Sequence, residues 1–322
     1  MDSKSNSELA RLEQAARAAW LYYVAKNTQD EIAQKLEVSR QSAQRLVALA
    51  VSEGLIKVRL DHPIAKCMAL GQQLKQAFNL LECDIVPSDP ADANAVHGLA
   101  QHGTAVLERY LKSDLPKTLA FGTGRVLKAC VDELPSMQCP QHKIVSLLGN
   151  IMLDGSASAF DIVVSMASRV QAKHYPMPLP VIASSVAEKQ LLHELAPVKS
   201  IFELIQHADA TFVGIGHMDV NPPLLLDGFI NQIQLNELMD AHAAGEIISW
   251  VYDQQGQLLA HPMNQLVMSA PLNINSTKPV YGIAAGQHKV DAIYSALQGR
   301  LINSLITNEF TAGKILAKYN NS

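Results

Sequence analysis

The sequence has 322 residues, of which 48% are hydrophobic and 17% are charged, and its formal net charge is −4. A chain of this length and composition is expected to form a soluble globular protein of about two domains. The negative net charge argues against a protein that coats nucleic acid over its whole surface, and no apolar run approaches the roughly 18 residues of a membrane span.

The first residues and the cysteines narrow the class further. The start MDSKSNSELARLEQ is too polar for a signal peptide, so we expect a cytoplasmic protein. The four cysteines, at positions 67, 83, 130 and 139, have no CxxC spacing. The loose pair of Cys139 and His142 is more typical of a loop than of a ligand set. The sequence therefore predicts no metal site, no disulfide scaffold and no cofactor.

The first predicted elements are three helices. Apolar residues between Leu9 and Val24 recur at helical spacing and predict a helix that ends near Asn27. Thr28 can cap a second helix, and Glu31, three residues later, can complete a capping box. After a turn at 37–38, Ser39 can cap a third helix, whose apolar residues 43, 46, 47 and 50 lie on one face. This succession is typical of a helix-turn-helix.

The polar face of the third predicted helix has the side chains that read DNA. Arginine suits guanine edges or phosphates, and glutamine suits adenine. Gly54 is predicted to end the helix, and a strand-like run at 55–59 could form a basic wing that contacts backbone phosphate. The predicted DNA-binding residues are Gln29, Ser39, Arg40, Gln41, Ser42, Gln44, Arg45, Lys57 and Arg59.

An ordinary helical hairpin with a solvated polar face also fits the apolar pattern of residues 28–54. The order of a capped short helix, a turn, a polar face and a basic wing favours the helix-turn-helix. The sequence Asp61-His62-Pro63 then breaks the pattern, and residues 64–79 predict a connecting helix. We therefore predict a DNA-binding domain at 1–61 and a second domain at 62–322.

The second domain alternates short β-rich runs with helical ones, which predicts a parallel or mixed sheet wrapped by helices. Helices are predicted at 125–134, 157–173 and 290–298. The predicted strands are 118–122, 143–149, 180–184, 210–216, 246–253, 279–285 and 301–307.

Several of these strands end in glycine. Gly122 to Arg125 lies between a strand and a helix, where backbone N–H groups and the helix N-terminus can hold an anion, and glycines recur after three later strands. Strand ends are where ligands bind in open α/β sheets, so we expect these turns to line one crevice, although each glycine could simply make a tight turn. The motifs GxGxxG, GxxxxGK[ST] and GxSxG are absent from the sequence.

Four blocks of the chain resemble the SorC family of bacterial sugar-responsive transcriptional regulators. They are residues 20–56, 121–135, 245–259 and 284–316. The resemblance implies an α/β protein: an N-terminal (winged) helix-turn-helix followed by a doubly wound α/β domain of the sugar-phosphate isomerase/CoA transferase-like type. It also implies that the second domain binds a sugar or sugar phosphate and forms a homo-oligomer, a dimer or a tetramer.

The resemblance places two phosphate-holding loops at Gly122 to Arg125 and at Gly149-Asn150. It places an acidic residue for sugar hydroxyls at Glu246 and a basic ligand residue at Lys289. Glu246 could instead be a surface strand residue, and Arg125 and Lys289 could be solvated helix charges. The residues predicted to bind the effector are Gly122, Thr123, Gly124, Arg125, Gly149, Asn150, Gly216, Glu246, Asp253 and Lys289.

Two positions depart from the family pattern. Thr123 replaces a frequent aromatic residue, and Asn150 replaces a frequent glycine. An unphosphorylated polyol is compatible with both changes. The sequence predicts a regulator of carbohydrate metabolism genes that binds double-stranded operator DNA and no membrane, and that is not an enzyme.

Two other functions remain open from the sequence. The first is a sugar-phosphate isomerase or deaminase in which His217, Glu246 or Asp253 is the acid or base. The second is a binding module whose helix-turn-helix contacts protein.

Overall fold

The computed structural model describes residues 3–56, 64–89, 91–92, 97–151, 155–156 and 162–321. The chain divides into two compact units, Met1–His62 and Pro63–Ser322. No helix in the described part of the chain is long and apolar enough to cross a membrane.

The first unit is a bundle of three helices. Its core contains Ile32 and Val47 packed among alanines, because small residues let the helices approach closely. The first helix ends at Tyr23, earlier than the predicted Asn27, since Lys26 adopts φ +60° and cannot continue a right-handed helix. The helices are α1 (Ser3–Tyr23), α2 (Gln29–Lys35) and α3 (Arg40–Ser52).

The second unit contains a doubly wound sheet and a smaller hairpin sheet. Its helices are α4 (Ala65–Phe78), α5 (His97–Leu111), α6 (Arg125–Glu133), α7 (Val163–Val170), α8 (Val186–His193), α9 (Ala196–Gln206), α10 (Pro223–Leu226), α11 (Gln232–Asp240), α12 (Pro262–Leu266), α13 (Val290–Gln298) and α14 (Glu309–Asn320), with a 3₁₀ helix at Gln287–Lys289. Its strands are β1 (Glu82–Val86), β2 (Thr118–Phe121), β3 (Lys143–Ile151), β4 (Lys173–Pro180), β5 (Ala210–Val213), β6 (Gly216–His217), β7 (Ala243–Ile247), β8 (Trp250–Asp253), β9 (Val280–Ile283) and β10 (Ser304–Asn308).

The large sheet is parallel throughout, in the order β1-β10-β9-β5-β2-β3-β4. Both of its faces are covered. Along β2, Leu119 and Phe121 face one apolar cluster and Ala120 faces the other. From β2 the chain proceeds to β3 and β4 on one side, whereas β5 leads to β9 and β10 on the other. The strand order therefore reverses between β2 and β5, which is where a ligand crevice is expected.

The small antiparallel sheet has the order β6-β7-β8. Strands β7 and β8 are joined by a two-residue turn at Ile248 and Ser249, which have φ values of +46° and +71°. A type I′ turn needs such angles, but a β-branched residue is an uncommon choice for one. The predicted run 246–253 is therefore a hairpin, and its strained turn lies close to the candidate site described below.

The α/β fold class and most predicted elements of the second unit are confirmed. The helices predicted at 125–134 and 290–298 are present as α6 and α13, and the connecting helix is present as α4. The strands predicted at 118–122, 143–149, 210–216, 279–285 and 301–307 are present with shifted ends, although 210–216 divides into β5 and β6.

Two predictions were wrong in their bounds. The strand predicted at 180–184 is β4 at Lys173–Pro180, because prolines at 176, 178 and 180 disguise a strand that lies at the sheet edge and can tolerate them. The helix predicted at 157–173 begins at Val163 in the described residues and ends at Val170, since Gln171 is left-handed at φ +51°. Residues 157–161 lie outside the described residues. The prediction also missed β1, α5, α8 to α12 and α14.

Candidate functional site

The first candidate site is the exposed face of α3. The helix before it, α2, is fixed at its start by local hydrogen bonds. The Oγ1 of Thr28 accepts from the N–H of Glu31, and the Oε2 of Glu31 accepts from the N–H of Thr28 at 2.7 Å. This capping box fixes the start of α2. The turn then depends on Glu37, whose φ is +54°. The predicted helix-turn-helix geometry is present.

The start of α3 is capped by Ser39, whose Oγ accepts from the N–H of Ser42 at 3.1 Å. One face of the helix is buried through Ala43, Val47 and Ala50. The opposite face is exposed and offers guanidinium and amide groups to an outside partner. Its members are Arg40, Gln41, Gln44 and Arg45.

Few contacts restrain this polar face. Arg40 lies 3.5 Å from Asp30, but both side chains are about 70% exposed, so the pair is screened and contributes little. Gln29, at the start of α2, is half-buried. The predicted wing residues Lys57 and Arg59 lie outside the described residues. The described part of the face therefore presents donors and acceptors that a partner can engage without disrupting the core.

The second candidate site is a cavity of about 340 Å³ where the strand order reverses. It opens beyond the ends of β2 and β5, as expected for a doubly wound sheet. Six of the predicted effector-binding residues line it: Thr123, Gly124, Arg125, Gly216, Glu246 and Lys289.

Glu246 lies on β7, and its carboxylate is held from two sides. The Oε2 atom accepts a hydrogen bond of 2.8 Å from the N–H of Ser249 across the hairpin turn. The carboxylate packs on the bare backbone of Gly216, where a Cβ would overlap it. Burial raises the pKa of Glu246, although the bond from Ser249 and the charge of Lys289 oppose this. The result is a fixed acceptor suited to hydroxyl groups.

Lys289 ends the 3₁₀ helix that precedes α13. Its Nζ donates a hydrogen bond of 2.8 Å to the carbonyl of Ile215, which lies between β5 and β6. Burial lowers the pKa of Lys289, and Glu246 opposes this shift. The ammonium group is thus fixed between the ends of two strands, where it can donate further hydrogen bonds to a ligand.

Arg125 is the first residue of α6, and Asp227 directly follows α10. The Nη2 of Arg125 donates to Oδ1 of Asp227 at 2.9 Å. The arginine side chain is 55% exposed and the aspartate 20%. This ion pair connects the start of α6 with the segment after α10, and both of its residues line the cavity.

Asp219 holds two imidazoles at the same cavity. Its two carboxylate oxygens lie 3.1 Å from Nε2 of His217 and 3.0 Å from Nδ1 of His288. The rings are 5.9 Å apart between centroids. Burial lowers the pKa of His217, and the Asp219 carboxylate opposes this. Both histidines line the cavity and bring further hydrogen-bonding groups to it.

Apolar side chains form much of the remaining wall. They come from strand ends, from α6 and from the segment around α10, so they surround the polar groups on several sides. Such a mixture suits a ligand with a carbon skeleton and many hydroxyls. The apolar lining residues are Val126, Leu127, Leu148, Ile215, Pro223, Leu224, Leu226, Phe229, Ile248, Ile283 and Ala285.

Four predicted effector residues do not line this cavity. Gly122, Gly149 and Asn150 line a small adjoining space, and the latter two lie inside β3 instead of in a loop after it. Gly149 permits β3 to approach β4, since a Cβ there would overlap the carbonyl of Leu179. Asp253 accepts hydrogen bonds from the N–H groups of Gln255 and Gln257, which fixes the turn after β8.

The sequence analysis missed Asp219, Asp227, Ser249 and His288 as site residues. Asp227, Ser249 and His288 line the cavity, and Asp219 contacts two of its histidines, but no catalytic or binding motif includes these four residues. The pattern GIGHMD, in which a histidine and an aspartate directly follow a strand end, could have suggested Asp219. In the described residues, no group of three or more His, Cys, Asp or Glu side chains is arranged to hold a metal ion.

Comparison with known proteins gives a consistent result across the chain. A family described as "Putative sugar-binding domain" matches residues 62–317. The erythritol catabolism regulatory protein EryD of Brucella abortus is 28% identical over 95% of this chain and 97% of its own length. The transcriptional regulator LsrR of Enterobacter sp. (strain 638) is 30% identical over 96% of this chain and 94% of its own.

A solved structure also matches nearly the whole chain. The crystal structure of the full-length sorbitol operon regulator SorC from Klebsiella pneumoniae has a TM-score of 0.70 and 26% sequence identity. The match covers 95% of this chain and 99% of that one. Both units thus have counterparts in one regulator.

Proposed function

This chain belongs to the SorC family of sugar-responsive transcriptional regulators, and on that premise we propose a role for each of its two candidate sites. The exposed face of α3 reads operator DNA, and the cavity at the strand reversal binds the sugar-type effector that controls this reading. The observation that carries the proposal is that one chain has both an exposed polar face on α3 and a cavity lined by hydrogen-bonding groups at the strand reversal.

Arg40, Gln41, Gln44 and Arg45 are the residues we assign to base and phosphate contacts. They lie in the first half of α3, which is the part that enters the major groove in helix-turn-helix proteins. Ser39 and Ser42 are placed at the helix N-terminus, where hydroxyls and N–H groups suit phosphate. Gln29 is the first residue of α2, and we assign it to contacts with the DNA backbone. Lys57 and Arg59 are assigned to the same role from the sequence alone.

Glu246 and Lys289 are the residues we assign to the effector. A partly buried carboxylate and a partly buried ammonium can each make charge-assisted hydrogen bonds to hydroxyls, which are stronger than neutral ones. Thr123, Gly124, Arg125 and Gly216 complete the polar lining. The apolar wall contacts the carbon skeleton of the ligand.

The chain acts as a homo-oligomer in this proposal. Two copies of the helix-turn-helix would contact half-sites about 34 Å apart, or a multiple of that distance, as in other symmetric regulators. The effector can change DNA affinity only by the ratio of its affinities for the DNA-competent and DNA-incompetent states.

Footprinting on DNA that flanks the coding region tests the DNA-binding part. The proposal predicts protected half-sites separated by whole helical turns. Uniform protection, or none at low salt, would overturn it. A thermal-shift screen against sugars and sugar alcohols tests the cavity, because a ligand that binds only the folded form raises its stability.

One observation favours a second candidate, an enzyme that acts on sugar phosphates. Burial raises the pKa of Glu246 and lowers that of Lys289 in one cavity, a pattern that is also found at catalytic sites. Incubating the protein with sugar phosphates and following product formation distinguishes the two functions. Turnover that is lost in Glu246→Gln would favour the enzyme.

A further inference from the structure

The charged groups of the cavity already neutralise one another. Among the described lining residues, the cations Arg125 and Lys289 are matched by the carboxylates Asp227 and Glu246. The four groups interact as one set: Lys289 and Asp227 both act on the pKa of Glu246, and Glu246 and Arg125 both act on that of Lys289. A cavity built to hold a phosphate would be expected to carry an excess of positive charge.

Asp227 is the residue that removes this excess. Its carboxylate accepts a hydrogen bond of 2.9 Å from the guanidinium of Arg125, the cation at the N-terminus of α6. A helix N-terminus with an arginine beside it is a favourable place for an anion. Here the protein itself supplies the negative charge that pairs with this arginine.

Resting on the function proposed above, we propose that Asp227 determines the class of effector. By occupying Arg125 with a carboxylate of the protein, it makes the cavity select uncharged sugars and sugar alcohols over their phosphate esters.

The ion pair of Arg125 and Asp227 opposes the binding of a phosphate ester. Such an ester carries about −1.5 to −2 charges at neutral pH. Binding Arg125 would require the ester to displace Asp227, whose side chain is only 20% exposed and would lose its partner. The charge of Asp227 already raises the pKa of Glu246, so the ester would add a third anionic group. A neutral polyol meets no such repulsion and can use Glu246 and Lys289 directly.

Calorimetric titration of the full-length protein tests this selection. The ligands are tetritols, pentitols, hexitols and the matching aldoses, each beside its terminal phosphate monoester. Wild-type protein should bind at least one neutral compound about tenfold or more tightly than its ester, since like charges brought together in a site oppose binding. Asp227→Asn keeps the size of the side chain and removes its charge. In this variant the preference should shrink or reverse, and inorganic phosphate should begin to raise the melting temperature.

Asp132→Asn is the matched control. Asp132 lies near the other end of α6 and pairs with Lys128 at 2.6 Å, so its replacement removes the same charge from a helical ion pair away from the cavity lining. Its ligand preference should equal that of the wild type. A thermal melt of each variant establishes that it folds.

The outcomes separate this inference from the proposed function. Wild-type protein that binds esters more tightly than neutral compounds would overturn the inference while leaving the cavity as the effector site. A preference unchanged in folded Asp227→Asn would also overturn it. Wild-type protein that binds no compound of either class would overturn the proposed effector site, and the inference with it. The wild-type comparison needs no variant, so it decides the question even if Asp227→Asn fails to fold.

Discussion

The face of α3 and the cavity of the second unit differ in what holds their polar side chains. On α3, Gln41, Gln44 and Arg45 are exposed, and only their helix is fixed by buried residues. In the cavity, Glu246 and Lys289 are partly buried, and each is held by a hydrogen bond to or from the backbone. Exposed groups can be replaced without cost to the fold, whereas replacing a cavity group also removes a hydrogen bond of the fold.

Next to the cavity, the packing of β3 against β4 depends on Gly149. Gly149→Ala places a Cβ on the carbonyl of Leu179, so β3 and β4 must separate. We expect a loss of at least about 2 kcal/mol in the free energy of unfolding, measured by denaturant titration, as for other overpacked sites.

Gly313→Ala is the control for that change. Gly313 lies within α14 with open space around its Cα, so alanine should stabilise the protein by about 0.5–1 kcal/mol. Equal stability of Gly149→Ala and wild type would show that the approach of the two strands is not needed.

Lys289→Ala tests the cavity charge directly. It removes the donor to Ile215 and the positive partner of Glu246. The loss of one charged hydrogen bond should weaken effector binding by about 1.5–3 kcal/mol, measured by calorimetry. Operator affinity without effector should stay unchanged. An unaltered effector titration would move the binding site elsewhere.

Arg45→Ala tests the face of α3. If Arg45 makes a bidentate base contact, its loss should cost about 1–3 kcal/mol of operator binding and relax specificity at one position. The melting temperature should not change, because the side chain is exposed. Arg17→Ala removes an equally charged, exposed residue from α1 and is the control for charge alone. Equal losses of operator affinity in both variants would mean that Arg45 contributes only its charge.

The smallest expected effect is at Glu37, the turn residue between α2 and α3. Its φ of +54° suits glycine, so Glu37→Gly should stabilise the first unit by up to about 1 kcal/mol. Hydrogen exchange of the α3 amides measures this in the full chain. Glu37→Ala removes the same charge but keeps a Cβ, so it should give no such gain in protection.

The sequence predicted best what local residues determine. Thr28, Glu31 and Ser39 cap their helices through bonds that span three residues, and the structure contains these bonds. The glycine after β2 likewise marked the strand end that opens on the cavity region.

Long-range contacts explain what the sequence did not reveal. Asp227 contacts Arg125 across 102 positions of the chain, and no local pattern records such a meeting. The predicted loop at Gly149 was instead strand, because the need for glycine there comes from β4, a neighbour disguised by its prolines. Local patterns thus revealed the face of α3, and the family resemblance pointed to Glu246 and Lys289, while Asp227 required the fold.

Coupling between the two proposed sites can be measured by reciprocal titration. Operator affinity is measured with and without a ligand that binds the cavity, and ligand affinity with and without operator. The account predicts that each changes the other by the same factor, about fivefold or more, as linkage requires. An operator affinity that no cavity ligand alters would contradict it.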